Sequence, residues 1–165
     1  MINRLIALVS AFVLTACGFT PLHAPAGLAS GSSFKNVTVE TIETGNPQNK
    51  EAAFHIKQRL RDRIGTGGTD YILRLRPTSR ERRLGVSDQD VATRFDLSVS
   101  SRYEILDART GDSLDTGSVR VVTTYGAPLD PYGREAAQSA AIRNVSAEAA
   151  DRLMVKLAGF FANQK

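Results

Sequence analysis

The chain has 165 residues, one cysteine, two histidines and a formal charge of +4. That length supports one domain with its own core, and a lone cysteine excludes an intramolecular disulfide framework. The mild net charge conceals an uneven distribution: Arg74, Arg76, Arg80, Arg82 and Arg83 fall within ten positions.

The N-terminus has the form of a bacterial lipoprotein signal. Arg4 gives a short positive region, residues 5–14 form an uncharged apolar run, and Leu14-Thr15-Ala16-Cys17 matches the pattern in which small residues precede a lipidated cysteine. Small side chains let an extended backbone enter a peptidase cleft, and the thiol is the nucleophile that takes the lipid. Residues 1–16 are therefore expected to be removed, leaving 149 residues that begin at Cys17. The apolar run is too short for a permanent membrane span. No cofactor is expected beyond a covalent lipid on Cys17. Gly18 stands where an aspartate would favour inner-membrane retention under the enteric sorting rule, so the expected location is the periplasmic side of the outer membrane.

Residues 20–33, with two prolines and two glycines, lack apolar periodicity and read as a flexible tether; residues 17–33 form the lipidated linker and residues 34–165 the domain. A strand is predicted at 36–43, where Val37 and Val39 alternate with Thr38 and Glu40. After the turn signal Gly45-Asn46-Pro47, a helix is predicted over 48–64, with Ala53, Ile56, Leu60 and Ile64 on one stripe. The glycine-rich run at 65–68 lacks the lysine of a phosphate-binding loop and reads as a turn.

Three strands of period two follow. Tyr71, Leu73 and Leu75 oppose Arg74 and Arg76, and Pro77 predicts an interruption, a bulge or an edge. Next, Thr93, Phe95, Leu97, Val99, Ser101, Tyr103 and Ile105 oppose Arg94, Asp96, Ser98, Ser100, Arg102 and Glu104. Asp88 and Asp90 read as part of a hairpin tip. A turn at 107–112 leads to a strand at 113–125, with Val119, Val121, Thr123 and Tyr125 on one side. After a turn at 126–133, a helix is predicted over 134–161 with Ile142, Val145, Ala149, Leu153, Leu157 and Phe160 in one stripe. The order β-α-β-β-β-α predicts an α+β two-layer sandwich: a four-stranded, mainly antiparallel sheet packed under two helices.

Catalytic chemistry has little to work with. His23 lies in the tether and His55 beside an apolar helix stripe. The sequence has no zinc-ligand spacing, no nucleophile elbow and no calcium loop, so neither an enzyme nor a metal site is expected. The arginine cluster suits an anionic partner or a charged sheet edge that resists pairing. Nucleic acid is not an expected partner, because no aromatic side chains interleave the arginines.

Taken in order, several segments resemble the lipopolysaccharide-assembly lipoprotein family LptE, in its alphaproteobacterial form. Cys17-Gly18-Phe19-Thr20-Pro21-Leu22 resembles the start of its mature chain, and residues 49–63 its first helix. Tyr71-Ile72-Leu73 is similar to its next strand, and residues 103–107 with Thr110-Gly111 to its central hairpin. Thr124-Tyr125 and the closing alanine-rich helix complete the set. The resemblance implies an outer-membrane lipoprotein that helps assemble and plugs the LptD β-barrel, which inserts lipopolysaccharide into the outer leaflet. It assigns no binding residue here. Arg74, Arg76, Arg94 and Arg102 on the polar sheet face, with Arg80, Arg82 and Arg83 near the hairpin, are the chain's own candidates for barrel or lipid-phosphate contact. The rival expectation is a pilot or adaptor lipoprotein for another envelope channel, such as a secretion machine.

Overall fold

The structure is a computed structural model and describes residues 34, 36–42, 45–86 and 92–164. Cys17, His23, the signal segment, the tether, Asp88 and Asp90 lie outside the described residues. The elements are β1 (Val37–Thr41), α1 (Pro47–Ile64), β2 (Tyr71–Val86), β3 (Ala92–Asp107), β4 (Ser113–Gly126) and α2 (Pro131–Asn163). They form the predicted two-layer α+β sandwich, with one sheet in the order β1-β2-β3-β4.

The sheet is mixed. β2, β3 and β4 pair antiparallel in succession, whereas β1 pairs parallel to β2 from Val37↔Tyr71 to Thr41↔Leu75. A helix crossover between β1 and β2 delivers the chain back to the same end of the sheet, which makes this pair parallel.

Both helices start earlier than the apolar stripes indicate, for the same local reason. Asn46 accepts a hydrogen bond from the Asn49 amide at 2.9 Å, and Pro47 occupies the first turn of α1. Asp130 accepts one from the Gly133 amide at 2.6 Å, and Pro131 opens α2. Proline fits a helix's first position because no intrahelical partner awaits its missing N–H. Pro131 is thus the start of a helix and not part of a turn. Gly65, at φ 92°, ends α1 with its N–H on the Arg61 carbonyl at 2.8 Å.

Pro77 does not break β2, which runs unbroken to Val86. The Leu75 carbonyl accepts from Ile42 on the β1 side, so by alternation the Pro77 nitrogen points the same way, just past the end of β1. No ladder bond is lost there, so of the three expectations for Pro77 the edge is the one realised.

The core lies between the helices and one sheet face. Leu73, Leu75, Leu97, Val99, Ile105, Val119 and Val121 meet Ala52, Ile56, Leu60, Ile142, Val145, Ala149, Leu153 and Leu157. Burial of each larger aliphatic side chain stabilises the fold by about 1.5–3 kcal/mol. Gly68 is more than a turn residue: a Cβ there would lie 2.2 Å from the Asn36 and Val37 backbone. The loop after α1 packs directly on the start of β1.

Candidate anion-binding face

Side chains alternate across a strand, so burying the odd positions of β2, β3 and β4 under helices places the even ones on the opposite face. Strand register then decides which even residues become neighbours. Arg74 sits between Glu40 of β1 and Glu104 of β3, and its guanidinium contacts both carboxylates, at 3.5 and 3.7 Å. The next row across the sheet is Arg76, Arg102 and Ser118. Beyond it lie Thr78, Ser100 and Arg120, and then Arg80, Ser98 and Val122. These three rows hold four arginines and no acid, and all four arginines are exposed.

Further toward the hairpin, Arg82 reaches Asp96 at 3.0 Å. The Thr124 hydroxyl donates to the other oxygen of Asp96 at 2.7 Å. The Thr124 bond, and after it Arg82, hold the Asp96 carboxyl below the usual carboxylate range. Acidic residues thus flank the basic middle of the face, in the Arg74 row on one side and the Arg82–Asp96 row on the other. Among the described residues, no carboxylate lies within ion-pair distance of Arg76, Arg80, Arg102 or Arg120.

Arg76 and Arg102 stand directly opposite each other, and like charges in that position cost stability. A field of guanidinium groups interspersed with Ser and Thr hydroxyls can hold phosphate or carboxylate oxygens through charge-assisted hydrogen bonds.

Of the sequence-predicted residues, Arg74, Arg76, Arg80, Arg82, Arg94 and Arg102 all occupy even positions, with Arg94 in the last row beside Gly126. Arg83 differs. It pairs with buried Phe95 and so belongs to the helix side of the sheet, although it is exposed. Arg120 joins them without standing among the sequence candidates, although its place between Val119 and Val121 already sets its face. His55 is partly buried on α1, 3.9 Å from Glu51, with its ring edge-on to Phe54.

On the helix side, Glu81 braces the projecting half of β2. Its carboxylate accepts from the Tyr125 hydroxyl at 2.5 Å and from the Gln138 amide at 2.7 Å, joining β2, β4 and α2. Burial, and then the adjacent Glu81 carboxylate, push the Tyr125 hydroxyl well above its ordinary pKa. The Asn49 side chain of α1 accepts from the Ser79 amide at 2.6 Å, satisfying an outward-pointing donor beyond the end of β1. These bonds tie the long half of β2 to β4 and to both helices.

Comparison with known proteins agrees with this architecture. A lipoprotein structure from Caulobacter crescentus CB15 superposes with a TM-score of 0.64 and 26% identity, covering 82% of this chain and 97% of that one. Lipoprotein B from Nitrosomonas europaea gives 0.59 at 14% identity, covering 88% and 93%. Rare lipoprotein B from Shewanella oneidensis gives 0.56 at 14% identity, covering 78% and 97%. The last two show the shared fold alone. No curated protein sequence matches the chain. The family described as LptE: Lipopolysaccharide-assembly matches residues 34–157, three-quarters of the chain and nearly all of the described fold. The chain belongs to the LptE lipopolysaccharide-assembly family.

Proposed function

We propose that the protein is a lipid-anchored, non-catalytic component of the outer-membrane lipopolysaccharide machinery, working as the plug and assembly partner of an LptD-type β-barrel. The observation that carries this reading is the division of one sheet into a helix-covered core face and an opposite face whose three middle rows hold four arginines and no acid, in a chain of this family. A plug inside a β-barrel must be polar on its outer surface, because barrel lumens are polar. The even positions of β2, β3 and β4 supply such a surface. Arg76, Arg80, Arg102 and Arg120 also suit the phosphates of lipid A and core sugars.

In this reading residues 1–16 are cleaved and Cys17 carries the acyl chains. Residues 17–33 then let the domain reach from the inner leaflet into the barrel. Each buried methylene contributes about 0.8 kcal/mol, so several chains hold the protein stably on the membrane. Affinity purification of the full chain from solubilised outer membrane tests the proposal. Recovery of a large β-barrel of the lipopolysaccharide-export type is the expected result. Recovery of a secretion channel instead would overturn it.

A further inference from the structure

The two edges of the sheet are built differently. On one side β1 covers only five residues, Pro77 follows where its cover ends, and Asn49 occupies the next outward amide at Ser79. These are ordinary ways of making an edge unreceptive to another strand. On the other side β4 is 14 residues long and contains no proline.

The outward direction along β4 is fixed by one contact. The Arg120 carbonyl accepts from the Arg152 guanidinium of α2 at 2.7 Å, so it points away from β3. By alternation the N–H and C=O groups of Ser118, Val122 and Thr124 point the same way. Among the described residues, no backbone acceptor or donor outside the sheet meets them.

Beside this edge runs an open groove of about 330 Å³ between β4 and α2, lined by Ser118, Val119, Arg120, Arg152, Val155 and Lys156. Val119 and Val155 give it an apolar strip, and Arg152 and Lys156 of α2 supply its cations, while the Arg120 backbone forms part of its β4 wall. The acids nearest in sequence on α2 are already engaged: Asp151 with Arg59 and Arg63 of α1, at 3.4 and 3.1 Å, and Glu148 with Arg152 at 2.6 Å.

We propose that the β4 edge accepts an extended, acidic polypeptide segment of a partner protein, added as a fifth strand in the groove between β4 and α2. Outward peptide groups supply main-chain bonds, and the valines and cations read alternate side chains of the incoming strand. An amide of that strand replaces Arg152 on the Arg120 carbonyl, and the guanidinium transfers to one of its carboxylates. A second copy of this chain is a poor occupant, since a twofold β4–β4 pairing across the groove sets the Arg152 and Lys156 cations of one copy against those of the other.

The test uses the full chain and a short blocked peptide alternating glutamate and valine, followed by amide resonances and hydrogen exchange. The expected result is protection of the Ser118 and Val122 amides. N-methylation of alternate peptide amides should weaken binding by about an order of magnitude, the effect of one or two lost hydrogen bonds. Lys156→Glu should weaken the acidic peptide and strengthen its lysine–valine counterpart. Val122→Pro removes an outward donor but no ladder bond, so it should abolish binding while leaving β3–β4 protection intact. If Val122→Pro disturbs the fold, the N-methylated peptide tests the same bonds on the unaltered protein. Binding that survives N-methylation, or inorganic phosphate that perturbs the same amides as strongly as the peptide, would overturn the proposal and leave a simple anion groove.

Discussion

Along β3, residues 97, 99, 101, 103 and 105 are buried under two helices, while 98, 100, 102 and 104 lie on the opposite face. Neighbours in the chain therefore obey opposite rules. On the helix side a side chain is judged by how well it fills space, and on the other by its charge. The Arg76–Arg102 pairing costs stability, whereas every large aliphatic residue beneath the helices adds to it.

The contrast breaks most visibly on the helix side. Leu153 is 1% exposed in the centre of α2. Leu153→Asp places an uncompensated carboxylate in the core and should cost more than about 4 kcal/mol, seen as loss of the cooperative melting transition. A smaller effect of opposite sign is expected at Ser146, buried on the same helix with its hydroxyl unpaired among the described residues. Ser146→Ala should raise stability by roughly 1 kcal/mol in urea titration, because it removes a desolvated polar group.

On the arginine face the same kind of measurement should give small numbers. Arg102→Thr relieves the repulsion with Arg76 and should stabilise the domain by about 0.2–1 kcal/mol while reducing affinity for anionic ligands. A loss of stability there would mean that Arg102 is a packing residue. The smallest effect concerns Asp96, held below the usual carboxylate range by Thr124 and Arg82. Its contribution is fully present above the ordinary carboxylate pKa and is lost as pH falls through the lower folded value. Asp96→Asn should therefore lower stability slightly at neutral pH, leave it nearly unchanged at low pH, and so flatten the acid limb of the stability–pH curve.

Much of this division is legible in the sequence. Period-two alternation assigns Leu73, Leu97, Val99 and Val121 to one face and Arg74, Arg76 and Arg102 to the other, because the pleat leaves no third choice. The parallel pairing of β1 is less accessible, since it follows from where a helix returns the chain and not from any local pattern. Pro77 and Pro131 are ambiguous for a related reason: a missing N–H matters only if something needs it, and that depends on neighbours distant in sequence. The pairing of Arg76 with Arg102 is a matter of register, whereas the helix-side place of Arg83 follows from alternation once β2 runs unbroken through Pro77. The bulge that follows Arg83 lies in a pattern no single strand displays. Gly68 reads as a turn glycine, yet its close approach to Asn36 is a tertiary contact.

In the proposed function the arginine face is the surface that meets lipopolysaccharide. The most direct test is binding of the full chain to lipopolysaccharide micelles, compared with an Arg76→Glu/Arg102→Glu variant and with ligand stripped of its phosphates. The account predicts an unchanged melting profile, with affinity reduced at least about tenfold by either change and little further loss when the two are combined. Equal binding by the variant, with phosphates present, would contradict it.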